Sequence, residues 1–189
     1  MSYNKRFVAL LDANVLYPAP LRDFLLRLAQ AELFTPRWSV EIHDEWTQNL
    51  LKNRSDLKPS QLEKTRQAMD SAFPTANVTG YKSLISDLRL PDANDRHVLA
   101  AAIKGQARII ITANKRDFPS KELRIYGIDA QTPDTFVCAL LAMNKEKVLE
   151  ALRNLLNALK NPPQTMDQVL QTLKRVGLSQ SVAIISRAV

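Results

Sequence analysis

The chain has 189 residues, with 26 Lys and Arg against 19 Asp and Glu, 46% apolar residues, four Gly, two His and one Cys. At this length a core buries roughly 70% of the surface the unfolded chain exposes. A single cysteine excludes an internal disulfide framework, so a reducing compartment is expected, and a net charge of +7 favours polyanions such as nucleic acid as partners.

In chain order, Phe7-Val8-Ala9-Leu10-Leu11 is an unbroken apolar run that reads as a strand buried on both faces. With the polar stretch Met1 to Arg6 before it, this run is too short for a signal-peptide core or a membrane span, so a cytoplasmic protein with no membrane partner is expected. Helical spacing follows over residues 21–31, 39–52, 59–72, 81–88 and 92–104, with short strand candidates at 33–35 and 77–79. The β-branched run Arg108-Ile109-Ile110-Ile111-Thr112 is a second buried strand, and residues 125–128 are a further short one. Strands alternating with helices of this length predict a three-layer α/β/α sandwich with a mostly parallel sheet over residues 1–133.

From 134 to 189 the pattern is helix alone. A stripe of Val148, Leu149, Leu152, Leu155, Leu156 and Leu159 is stopped by Asn161-Pro162-Pro163. A second stripe from Met166 to Val176 ends at Gly177, a left-handed C-cap, and Ser179 reads as the cap of a last helix reaching Arg187. This helical extension has the shape of a lid or a dimer buttress, or else a docking surface. A C2 homodimer is the default assembly.

Several chemistries are missing. The four glycines are too scattered for a P-loop or a dinucleotide fingerprint, and no G-x-S-x-G elbow occurs. His43 and His97 lack partners at zinc-ligand spacing and read as structural or surface residues. What remains is carboxylates at positions where a parallel sheet gathers functional groups, the carboxyl ends of strands and the helix starts beside them. Asp12 directly follows the first strand. Glu45 lies about 60° from Ile42 on its helix and leans towards the buried stripe of Ile42, Trp46 and Leu50, whereas Asp44 falls about 160° away. Asp92 reads as an N-cap, while Asp95 continues the buried stripe into Val98 and Leu99 and so needs a partner. Thr112, Asn114 and Asp117 offer oxygens in the loop after the second buried strand. Converging carboxylates raise one another's pKa values unless a cation neutralises them. An all-oxygen donor set suits Mg²⁺ or Mn²⁺ and, with it, phosphodiester hydrolysis.

In order and spacing these segments resemble the PIN-domain family of metal-dependent ribonucleases and, more narrowly, the VapC-type toxins of toxin–antitoxin pairs. Leu11-Asp12-Ala13-Asn14-Val15-Leu16-Tyr17 resembles the family's opening strand, first acid and supporting amide. Ser39 with Glu45, Asp92 and Asp95 with Val98 to Ala102, and Thr112 to Pro119 resemble its later segments. One departure is Asn114, which stands where the family often carries an acid. The resemblance covers residues 6–133, and residues 18–22 with the helical extension resemble a longer subgroup. It implies that Asp12, Glu45 and Asp95 hold Mg²⁺ or Mn²⁺, with Asp92 and Asp117 nearby through water. It further implies an RNA substrate, with Arg22, Arg27, Lys115 and Arg116 as candidates for gripping its backbone, and a cognate antitoxin protein. Two other readings compete. A phosphatase of the HAD type would need a second Asp where Asn14 stands, and a non-catalytic nucleic-acid-binding module would need the basic surface but not the carboxylates.

Overall fold

The computed structural model describes residues 7–188, so the reading of Met1 to Arg6 as part of a leader-free terminus lies outside the described residues. The two long apolar runs form β1 (Val8–Leu11) and β3 (Ile109–Ile111), flanked by β2 (Thr35–Arg37) and β4 (Asp129–Gln131). All pairings are parallel and the spatial order is β2-β1-β3-β4. Because β1 is paired on both sides, Leu10 and Leu11 are fully buried, which is why its sequence shows no alternation. The chain leaves β1 towards β2 on one side and later returns to β3 on the other. A crevice therefore opens at the carboxyl ends of these central strands.

Helices alternate with the strands. Asp12 caps the single turn α1 (Ala13–Leu16), Pro18 and Pro20 open α2 (Ala19–Gln30), and Ser39 caps α3 (Val40–Asn53) by accepting from Ile42 N at 3.2 Å. α4 (Pro59–Ala72) begins at a proline, and α5 (Arg96–Lys104) continues from the 3₁₀ turn Ala93–Asp95. Gly105 ends α5 where a Cβ would lie 2.8 Å from Val78 Cγ2, so only glycine allows this approach. The α/β fold expected from the sequence is the one observed.

Four local expectations are corrected. Residues 33–35 are not a strand: Leu33 and Phe34 dive into the core, and β2 starts at Thr35. Residues 77–79 contribute a single parallel bridge from Asn77 to Trp38, and residues 82–87 are a 3₁₀ turn where a helix was expected. The strand expected at 125–128 lies at 129–131. The chain instead turns through the 3₁₀ segment Arg124–Tyr126 after α6 (Ser120–Leu123) and reverses at Gly127, whose φ of 66° is left-handed.

The extension begins with α7 (Pro133–Ala158), which bends at Asn144, and continues with α8 (Met166–Arg175) and α9 (Ser179–Ile185). Gly177 is left-handed as expected, with φ 103°. The expected cap at Ser179 is replaced by a distant one. Asp134, buried at the start of α7, accepts from Gln180 N and Ser181 N at 2.9 Å each and from Ser181 Oγ at 2.6 Å. α7 packs along α2, Phe136 meets Phe34 edge-on at 5.0 Å, and one apolar core runs through both parts of the chain. Among the described residues no helix is long and apolar enough to cross a membrane.

Candidate active site

The ladder between β1 and β3 pairs Leu11 with Ile111, so the next residues, Asp12 and Thr112, emerge side by side from the sheet. They open a cleft of about 360 Å³ whose lining includes Asp12, Asn14, Glu45, Asp95, Asn114 and Asp117. Asp12 is only 4% exposed. Its Oδ1 accepts from Ala13 N at 2.7 Å, and its Oδ2 accepts from Asn14 Nδ2 at 2.6 Å and from Thr112 Oγ1 at 2.8 Å. Asn14 Oδ1 is fixed in turn by Ala113 N at 2.9 Å. Burial pushes the Asp12 carboxyl up, the donors from Thr112 and Ala13 pull it back, and nearby Glu45 adds to the rise; the net direction is upward.

α3 carries Glu45 into the cleft because Ile42 and Trp46 on the same side are fully buried. Asp44 turns the other way and pairs with Arg66 of α4 at 2.7 Å. Glu45 Oε1 lies 2.7 Å from His97 Nε2, a contact that is an ion pair whenever the imidazole is protonated. Burial alone would lower the His97 pKa, but Glu45 first, then Glu41 and Asp12, outweigh it and raise it. Glu41, in turn, takes a hydrogen bond from Tyr81 Oη and lies 3.2 Å from Lys82 Nζ.

Asp95 enters from the 3₁₀ turn before α5 and is half-buried. Its pKa is pushed from 3.8 to about 6 by burial first and then by the charges of Asp12, Asp92, Asp117 and Glu45. Asp117 comes from the 3₁₀ turn Lys115–Asp117 and accepts from Asn114 Nδ2, while Asn114 Oδ1 accepts from Arg116 Nε at 3.1 Å.

Other expected residues lie around the cleft. Asp92 is exposed and caps its turn by accepting from Asn94 N at 2.8 Å, reaching the site only through its charge on Asp95. Ser39 is a buried cap of α3, and Thr112 lies beneath the cleft as a donor to Asp12. Lys115 and Arg116 are exposed on the loop that carries Asp117. Of the candidate phosphate-gripping residues, Arg22 is corrected and Arg27 lies outside the cleft lining. Arg22 is 7% exposed, donates from Nη1 to Leu16 O at 2.6 Å and stacks 4.6 Å over the Trp46 ring. Arg27 is half-buried on a separate surface with Gln30, Lys147 and Glu150. Sequence reasoning missed His97, Tyr17, Asn49 and Asn53. The last two were findable, since they continue Glu45 at four-residue steps along α3.

The donor chemistry fits a hard divalent cation: the cleft is lined by oxygen donors without cysteine or histidine, and burial together with the neighbouring carboxylates raises the Asp95 pKa, a cost that a cation would relieve. Among the described residues no three acidic, His or Cys side chains are gathered as a ready coordination cluster.

Residues 8–116 match the family described as PIN domain, and this covers more than half of the chain: the protein belongs to the PIN-domain family. Residues 133–187 match the family described as VapC50 C-terminal domain. A curated relative named "Putative ribonuclease VapC50", from Mycobacterium tuberculosis (strain ATCC 25618 / H37Rv), is 35% identical over 103 residues. The alignment spans 54% of this chain and 60% of that relative. No solved structure matches the chain significantly.

Proposed function

We propose that the protein is an endoribonuclease dependent on Mg²⁺ or Mn²⁺ that serves as the toxin of a toxin–antitoxin pair in the cytoplasm. The observation that carries this reading is the cleft itself, which carboxylates from the β1 end, α3, the α5 turn and the β3 loop line together. Asp12, Glu45 and Asp95 would hold the cation, with Asp117 at the rim. Bound there, the ion would neutralise the carboxylates and supply the Lewis acidity that phosphodiester hydrolysis requires.

The chain's own residues prepare the reaction. Thr112, Asn14 and the Ala13 amide fix both oxygens of Asp12, so this acid needs no reorganisation when substrate arrives. His97 holds the Glu45 carboxylate in place. Water adds to phosphorus, one P–O ester bond breaks, and the departing oxygen leaves with a proton. Family membership and the relative's name support RNA as the substrate, and the VapC50-type extension supports an antitoxin partner.

The phosphatase reading loses its acid/base, because the residue at that position is Asn14, whose amide donates to Asp12. The test is cleavage of cellular RNA by purified protein in Mg²⁺, Mn²⁺ or EDTA, with Asp12→Asn and Glu45→Gln alongside. Cleavage should require the metal and fall at least a hundredfold in both variants. RNA binding without metal-dependent cleavage would replace the enzyme with a binding module.

A further inference from the structure

α3 brings more than Glu45 to the cleft. Positions 45, 49 and 53 are four residues apart, so they form one row about 12 Å long on the helix surface. Asn49 and Asn53 line the cleft together with Tyr17 from the loop after α1. Asn53 Nδ2 donates to Tyr17 Oη at 3.2 Å, whereas the Asn49 amide makes no hydrogen bond among the described residues. Both asparagines are exposed, and Tyr17 is half-buried, anchored on the core with its hydroxyl at the surface.

This wall is neutral where a phosphate grip would be basic. The nearby guanidinium of Arg54 is already paired with Asp56 at 2.7 Å. Side-chain amides each present a donor beside an acceptor, the pattern that pairs with a base edge. Asparagine in particular matches the N6 and N7 of adenine. Unpaired bases are read in this way when they are splayed out, and a tyrosine ring provides a stacking surface. The row also starts at Glu45, so a nucleotide lying along it would directly adjoin a phosphate at the carboxylates.

We propose that Tyr17, Asn49 and Asn53 form a base-reading subsite for an unpaired nucleotide next to the scissile phosphate, with adenine preferred. The inference rests on the ribonuclease reading and adds the substrate feature that the enzyme selects. The experiment uses single-stranded oligonucleotides that carry adenine, cytosine, guanine, uracil or an abasic residue at the position flanking the cleavage point. kcat and KM are measured for wild type, Asn49→Ala and Asn53→Ala. Binding of a 12-residue oligoadenylate is followed in parallel by fluorescence anisotropy in EDTA, where no cleavage occurs.

Wild type should favour adenine over the abasic residue by about tenfold in kcat/KM, expressed mainly in KM. The asparagine variants should reduce that ratio to within twofold and weaken oligoadenylate binding by a similar factor. Tyr17→Leu, which keeps the apolar anchor and removes the stacking ring, should weaken binding at least fivefold. An RNA-cleaving wild type with no preference for the flanking base overturns the subsite while leaving the ribonuclease reading intact. Asparagine variants that retain the wild-type preference do the same. A wild type that neither cleaves nor binds RNA under any metal condition overturns both.

Discussion

Replacing Asp95 with Asn should make the metal-free protein more stable. Asp95 is half-buried and surrounded by the charges of Asp12, Asp92, Asp117 and Glu45, and its carboxyl is pushed from 3.8 to about 6. A folded-state value above the unfolded one means that the folded chain prefers the proton. The stability linked to this group is therefore complete below pH 3.8 and is lost as pH rises through about 6. At about 1.4 kcal/mol per tenfold change the full shift corresponds to ~3 kcal/mol. Solvent screening of a half-exposed carboxyl reduces this to about 1–2 kcal/mol. Asparagine has the same shape and never ionises. In EDTA at pH 7.5 the variant should gain that amount, or about 2–8 °C in melting temperature for a chain of this length.

The assay is chemical and thermal unfolding of both proteins in EDTA from pH 4 to 8, scored as the difference between them so that the other carboxylates cancel. The gain should be near zero at pH 4 and reach its plateau above pH 7. Adding Mn²⁺ at pH 7.5 should raise wild type more than the variant, since relief of repulsion by a cation and relief by neutralisation are alternatives. An Asp95→Asn protein that is less stable than wild type in EDTA, or a gain that does not vary with pH, would refute the account of a repelling acidic cleft.

Two further outcomes follow from contacts outside the cleft lining. Arg22→Met should cost about 1–3 kcal/mol in urea unfolding, because it removes a buried charged hydrogen bond to Leu16 O and the stacking on Trp46 while retaining bulk; unchanged stability with a tenfold loss of RNA affinity would restore Arg22 to the nucleic-acid surface. Asp134→Ala leaves the Gln180 and Ser181 amides and the Ser181 hydroxyl without their acceptor. A loss of about 2–4 kcal/mol is expected, with the amides of α9 exchanging hydrogen faster than those of α2; uniform exchange across both helices would refute the local role of this cap.

Much of the fold was legible because its signals are local. The runs before Asp12 and Thr112 are apolar on both faces, so β1 and β3 could be placed within a residue, and the helical spacing over 39–52 and 59–72 placed α3 and α4 equally closely. The failures come from tertiary contacts. β4 is three residues long and exposes Asp129, so it has almost no hydrophobic pattern of its own and exists because Ile110 offers it a ladder. Ser179 looked like a cap by spacing, but the acceptor comes from Asp134, 47 positions away in sequence for Ser181. Arg22 follows Leu21 on an amphipathic helix and carries a charge, which by composition suggests the surface; only the Trp46 ring and the Leu16 carbonyl make its burial tolerable.

The same division applies within the site. Spacing alone could assign Glu45 to the inward side of α3 and Asp44 to the outer side. It could not tell what holds Asp12, because that depends on strand register. In a parallel ladder that pairs Leu11 with Ile111, the residue beyond each strand end must stand beside its counterpart, and this places the Thr112 hydroxyl 2.8 Å from Asp12 Oδ2. A slip of one residue would set Ala113 there instead, leaving a nearly buried carboxylate without one of its donors and turning the apolar residues of β3 to the other face. The apolar pattern of β3 and the hydrogen-bonding demand of Asp12 therefore select the same register, so the packing that stabilises the sheet is also what orients its first acid.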